Sequence, residues 1–196
     1  QAATQVLGAT PPATLFRPGE LVSERYRIRR FIARGGMGEV YEAEDLELRQ
    51  QVALKTVHPR DATHEVAIER FKREISLARK VTHANVCRIY DVGYHARPDG
   101  TSGIFLTMEL LEGETLSHRI RCQGTLSPEE ALPIARQMIA ALAAAHAAGV
   151  IHRDFKSENV FLVPDAGGIR VVVTDFGVAR GVEQGQFAAQ VTMADA

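Results

Sequence analysis

The stretch His152-Arg153-Asp154-Phe155-Lys156-Ser157-Glu158-Asn159 decides the reading of this chain, together with Asp175-Phe176-Gly177 a short strand further on. The first packs an Asp, a Lys and an Asn into one loop, directly after a long helical run. The second ends the apolar run Val171-Val172-Val173-Thr174 with an acid and then a glycine. An acid at a strand end beside open backbone suits an oxygen ligand for a hard cation. Taken singly, Asp154 also reads as a loop cap and Asp175 as a turn residue.

Nearer the N-terminus, residues 26–32 begin with apolar–basic alternation, residues 39–44 alternate again, and residues 51–57 form a third β-prone run. Period-2 alternation predicts strands, and the glycines between the first two runs predict a hairpin. Those glycines, Gly35, Gly36 and Gly38, sit in Ala33-x-Gly35-x-x-Gly38-x-Val40. A dinucleotide fingerprint would need a helix next, and a Walker loop would need Lys and Ser or Thr. Glu39-Val40 and a strand follow instead. Glycine backbone in a hairpin can still approach phosphates closely; a plain turn is the bland alternative.

Val52-Ala53-Leu54-Lys55 ends an apolar strand in a charge, which needs a partner. Residues 63–80 read as a helix, with Val66, Ala67, Phe71, Ile75 and Ala78 at helical spacing. Glu74 shares the face of Phe71 and Ala78 and is the expected partner of Lys55. A snorkelling Lys and a solvated Glu are the alternative. The bases Arg70, Lys72, Arg73, Arg79 and Lys80 alternate with Glu69 and Glu74, which reads as a solvated face rather than a nucleic-acid surface.

Strands follow over 86–94 and 104–108, separated by Arg97-Pro98-Asp99-Gly100. After Gly113 the pattern turns helical. Ser127-Pro128-Glu129-Glu130 predicts a capped helix start, running to about Ala148 and stopping at Gly149. Pro133 removes one hydrogen bond inside that helix. A strand pair, 160–163 and 170–174, closes around Asp165-Ala166-Gly167-Gly168. The layout is α+β, strand-rich in front and mainly helical behind, with a seam near 111–114.

Composition bounds the rest. The chain has 196 residues, 45% hydrophobic and 24% charged, with 23 basic against 24 acidic residues and a pI near 6.7. A disordered chain, a collagen and a disulfide mini-protein are excluded, and nucleic acid is not an expected partner. Cys87 and Cys122 lack metal spacing and read as reduced thiols of a cytoplasmic domain. No run is long enough to span a membrane. Residues 1–20 are small and polar and carry Pro11, Pro12 and Pro18, so they read as a flexible linker or tail, with structure expected from Leu21. Position 1 is not Met and no cap closes the end, so both ends read as cut.

In order the chain gives a glycine loop, V-A-L-K, a helical Glu, H-R-D-x-K-x-x-N and D-F-G. This set resembles that of protein kinases. Lys156 is similar to the serine/threonine class, and Gly35-Gly36-Met37-Gly38-Glu39-Val40-Tyr41 resembles the bacterial family of eukaryotic-type serine/threonine kinases. The resemblance covers residues 21–196. It implies a kinase-like α+β fold, with an antiparallel-sheet N-lobe over about 21–110 and a partial, mainly helical C-lobe over about 114–196. The family's activation segment and later helices would continue past Ala196, leaving a face of the long helix uncovered.

The resemblance also implies a function, ATP- and Mg²⁺-dependent phosphorylation of Ser and Thr in protein substrates. Gly35 and Gly38 would fold over the phosphates. Ile32, Val40, Ala53 and Phe161 would enclose the adenine, with Met108 as gatekeeper and backbone groups of Glu109 and Leu111 at its edge. Lys55, fixed by Glu74, would hold the α- and β-phosphates. Asp154 would orient the substrate hydroxyl, without needing a raised pKa, and Lys156 would steady the γ-phosphate. Asn159 and Asp175 would bind Mg²⁺. Arg153 would meet a phosphate on the activation segment, with Thr192 the hydroxyl available there. Ala33 departs from the pattern by replacing the first loop glycine, as does Ser157 where Pro is frequent, and Ala78 is small where the helix meets Phe176. Competing readings are an ATP-binding pseudokinase and a small-molecule phosphotransferase.

Overall fold

The computed structural model describes residues 14–35, 38–57, 73, 75–96 and 102–176. A six-stranded antiparallel sheet forms the first half. Its strands are β1 (Leu21–Val22), β2 (Tyr26–Gly35), β3 (Gly38–Asp45), β4 (Gln50–Val57), β5 (Ile89–Ala96) and β6 (Ser102–Met108), in the order β1-β2-β3-β4-β6-β5. The glycine hairpin closes with Gly35 opposite Gly38. Alternation sorts β4 between two cores. Val52 and Leu54 join Phe16, Tyr26, Ile28, Tyr41 and Phe105 on one face, while Val57 joins Ile75, Ile104 and Leu106 on the other. Lys55, two residues from Val57, is therefore turned to the second face.

Two expectations shift here. The sequence places structure from Leu21, yet Phe16 is already 4% exposed within the first core. One aromatic ring buries enough apolar surface to bring its polar neighbours with it. The strand expected over 86–94 starts at Ile89, because Val86 instead bridges Val173 of the other lobe. Of the helix read over 63–80, residues 75–78 are helical; residues 63–72 and Glu74 lie outside the described residues.

The second half holds β7 (Glu114–Thr115), α1 (Leu116–Gln123), α2 (Pro128–Ala147), β8 (Val160–Asp165) and β9 (Gly168–Val173), the three strands forming their own sheet. The predicted capping box is present, with Ser127 Oγ accepting from the Glu130 N–H and the Glu130 carboxylate accepting from the Ser127 N–H. The helix runs through Pro133 and ends before Gly149, whose φ of 74° suits glycine. Ala141 and Ala145 are fully buried against Val86, Val173 and Phe176. Small side chains let β9 and the loop after α2 lie close to the helix. Leu132 and Ile139 of α2 are exposed, at 55% and 65%.

Candidate active site

The loop after α2 and the end of β9 are joined through His152, which is 2% exposed. His152 Nε2 donates to the Thr174 carbonyl at 2.8 Å, and Nδ1 accepts from the Asp154 N–H at 3.4 Å. A carbonyl can only accept and an amide N–H can only donate, so the ring is the neutral Nε2–H tautomer. Burial agrees, pushing the His152 pKa below its usual value. The ring packs on Phe176 at 4.6 Å and Phe155 at 5.4 Å between centroids. A second tie runs from the Thr174 N–H to the Asn159 carbonyl at 2.9 Å.

This bracing holds two residues in left-handed backbone, Arg153 at φ 64° and Asp175 at φ 61°. For a residue with a Cβ such a conformation costs about 1–2 kcal/mol. Strain of this kind persists where surrounding contacts over-determine it, and it gathers at functional sites.

Within the loop, Lys156 Nζ lies 2.8 Å from Asp154 Oδ2. Asn159 Nδ2 donates to the Asp154 carbonyl at 2.9 Å and to Oδ2 at 3.3 Å. The hydrogen bond from Lys156 is the main reason the Asp154 carboxyl stays below its usual range; burial opposes it and Asn159 adds to it. The Lys156 ammonium is raised by the same contact.

Across the cleft, Lys55 is 7% exposed and its Nζ lies 2.6 Å from Asp175 Oδ1. The sequence names Glu74 as the partner; Glu74, Gly177 and Thr192 lie outside the described residues. Above Lys55, Val40 stands opposite it in the β3–β4 ladder and Ala53 opposite Met108 in the β4–β6 ladder. Ile32 is the extra residue of a bulge between Phe31 and Ala33, and is 39% exposed. Phe161 is half-buried on β8, opposite Val172. Arg153 is exposed beside Asp154, and Leu111 is half-buried in the connection between lobes.

Gly38 and Gly35 differ. A side chain at Gly38 would strike the Thr56 carbonyl at 1.9 Å, whereas one at Gly35 would meet nothing. Gly38 is thus required by the fold itself, and Gly35 is not.

Some contacts escaped sequence reading. Glu109 in the connection pairs with Arg170 of β9 at 2.5 Å, and its N–H donates to the Arg88 carbonyl at 2.9 Å. The only backbone group Glu109 can offer an adenine is therefore its carbonyl. Behind Met108 a small cavity is lined by Ala78, Cys87, Leu106, Asp175 and Phe176, so Ala78 and Phe176 border the same space. Cys87 is buried and Cys122 exposed, both as free thiols, and burial raises the Cys87 thiol far above its usual pKa. No local pattern marks Arg170 or the carbonyl partner of His152, because both contacts join segments distant in sequence.

A two-lobed fold that brings a glycine hairpin, a strand lysine, an Asp-Lys-Asn loop and a strand-end Asp to one cleft is that of a protein kinase. A family model described as "Protein kinase domain" matches residues 26–195, and the chain belongs to this family. Within the family it is similar to bacterial serine/threonine kinases. It is 41% identical over 170 residues to the serine/threonine-protein kinase pkn2 of Myxococcus xanthus, covering 86% of this chain and 20% of that one. It is 38% identical over 167 residues to the serine/threonine-protein kinase PknA of Mycobacterium tuberculosis, covering 85% and 38% respectively. The crystal structure of the Mycobacterium tuberculosis PknI kinase domain superposes with a TM-score of 0.71 at 28% identity, covering 84% of this chain and 64% of that one. The chain therefore spans a minor part of these two curated relatives. Among the described residues, no helix is long and apolar enough to cross a membrane.

Proposed function

We propose that this chain is the nucleotide-holding part of an ATP-dependent protein serine/threonine kinase, which moves the γ-phosphoryl group of ATP to Ser or Thr hydroxyls of protein substrates. The observation that carries the reading is the bracing of Asp154, Lys156, Asn159 and Asp175 into one cleft beneath Lys55. Phosphoryl transfer through a loose transition state needs positioning and charge neutralisation more than proton removal. Asp154, held ionised by Lys156 and Asn159, accepts a hydrogen bond from the hydroxyl and aims it in this reading. Lys156 offers its ammonium to the γ-phosphate, and Lys55 its own to the α- and β-phosphates. The open space at Gly35 leaves the hairpin free to lie against phosphate oxygens.

The donor set also fits Mg²⁺. Asn159 commits its amide nitrogen to Asp154, so its oxygen is the atom left for a cation, and Asp175 supplies a carboxylate. Among the described residues no three His, Cys, Asp or Glu side chains gather into a metal site. Mg²⁺ typically uses one or two protein oxygens and takes the rest from phosphates and water. Bound by Asn159 and Asp175, Mg²⁺ would neutralise charge on the phosphate oxygens.

The test is transfer of labelled phosphate from ATP by the full-length protein. Ser/Thr peptides should be labelled, and Lys55→Met should lower the rate at least about a hundredfold, as for loss of one electrostatic stabiliser of a transition state. Labelling of an aminoglycoside alone would point to a small-molecule phosphotransferase. Nucleotide binding without any transfer would point to a pseudokinase.

A further inference from the structure

Residues 14–17 precede the first strand, yet they are built into the sheet beside the glycine hairpin. The Phe16 ring meets Tyr41 at 5.4 Å and His95 at 4.9 Å between centroids. Its N–H donates to Tyr41 Oη at 3.1 Å, and the Leu15 N–H donates to Glu39 Oε2 at 2.9 Å. Tyr41 Oη donates to that same Glu39 oxygen, while Arg34 Nε donates to the other at 2.9 Å.

Glu39 is only 3% exposed. Burial alone would raise its carboxyl, but the hydrogen bonds from Tyr41, Leu15 and Arg34 outweigh it and hold the group below its usual value. A carboxylate this deep depends on its donors, because losing one leaves an oxygen desolvated and unmatched.

The place of Glu39 gives this network its meaning. Glu39 follows Gly38, where the hairpin re-enters β3. Its N–H donates to Thr56 Oγ1 at 2.9 Å, and the Thr56 hydroxyl lies 3.3 Å from its carbonyl. Gly38 lies so close to Thr56 that a Cβ there would overlap the Thr56 carbonyl. The backbone at the hairpin base is thus pinned from β4, and the side chain is pinned by β2 and by residues 14–17.

We propose that residues 14–17 form a strap that sets the position of the glycine hairpin through Glu39, and with it the affinity for a nucleotide's phosphates. Leu15, Phe16, Glu39 and Tyr41 are positioning residues in this device, which rests on the nucleotide-binding reading above. A hairpin held in its binding position loses less conformational freedom when phosphates arrive. Loosening the strap therefore weakens binding without touching the groups that act in transfer.

Leu15→Pro in the full-length protein removes the N–H given to Glu39 and leaves the carboxylate in place. Titration with a fluorescent ATP analogue and Mg²⁺ should show binding weakened about tenfold to a hundredfold, as for one lost charge-assisted hydrogen bond. The KM for ATP should rise by the same factor while kcat holds. Tyr41→Phe, which deletes the shared hydroxyl, should do likewise and serves if Leu15→Pro does not fold. Asp45→Asn, in the same sheet but away from the hairpin, should lower the melting temperature and leave nucleotide affinity unchanged. Equal affinity in wild type and the folded strap variants overturns the strap. Equal weakening by Asp45→Asn also overturns it, by reducing the strap to general stability. A wild-type protein that binds no nucleotide removes the functional reading itself, and the strap with it.

Discussion

Asp45 and Asp175 are each held by a cation at nearly the same distance, 2.7 Å to Arg25 and 2.6 Å to Lys55, in arrangements that differ in kind. Asp45, its side chain 3% exposed, accepts from Arg25 Nε and Nη2 and from the N–H groups of Glu47 and Leu48. The Arg25 hydrogen bonds hold its carboxyl below the usual range against burial, and the two turn amides add to the effect. Asp175 has a side chain 26% exposed, sits in left-handed backbone, and meets Lys55 through one carboxylate oxygen. A structural acid is tied off by four N–H donors, while the acid of the site keeps an open edge toward the cleft. Commitment of lone pairs, rather than the presence of an ion pair, separates the two.

The largest effect should come from the open acid. Asp175→Asn keeps the shape and a polar partner for Lys55 but removes the charge. Phosphoryl transfer should fall at least about a hundredfold, and stability should also fall, by about 1–3 kcal/mol, because the buried Lys55 ammonium keeps a hydrogen-bond acceptor but loses its carboxylate. Calorimetry beside a transfer assay separates the two quantities. The closed acid should cost stability alone and spare transfer. Asp45→Asn should destabilise the protein by about 2–3 kcal/mol, because a neutral amide at this buried position has one acceptor oxygen for four N–H donors and loses the charge-assisted bonds from Arg25. Transfer per folded molecule should survive. An Asp45→Asn protein that is stable but inactive would break the comparison.

The parts of the fold legible in the sequence were those written in local chemistry. The capping box at Ser127 and Glu130, the stop at Gly149 and the glycine hairpin each need only a few neighbouring residues, and each stands where the pattern put it. The loop of Asp154, Lys156 and Asn159 was legible for the same reason. What escaped was made by distant partners. β7 is two residues long, too short for any period to show. Val86 leaves the expected strand because Val173 pairs with it. Phe16 looked like part of a polar linker because its pocket is built from Tyr41, His95 and other residues remote in sequence. Lys55 clearly needed a partner, but its contact with Asp175 spans 120 positions, and no spacing rule reaches that far.

The smallest expected effect probes the piece that keeps Asp175 open. His152 is buried and neutral, and its Nε2–H holds the Thr174 carbonyl just before Asp175. Its folded pKa lies below the ordinary 6.5 because burial disfavours the charged ring. Below 6.5 the unfolded chain therefore binds a proton that the folded chain refuses, so stability should rise with pH through that window and be complete above it. Asp45 acts in a separate range, since its lowered carboxyl keeps its contribution until the pH falls below the ordinary 3.8. Melting curves between pH 5 and 7.5 should thus slope in the wild type and flatten in His152→Gln, which carries no proton to gain. At pH 7.5 that variant should also lose about 1 kcal/mol for the hydrogen bond to Thr174. If the slope persisted in His152→Gln, another titrating group would be setting it, and if the variant lost no stability at pH 7.5, the hydrogen bond to Thr174 would not be what braces the turn before Asp175.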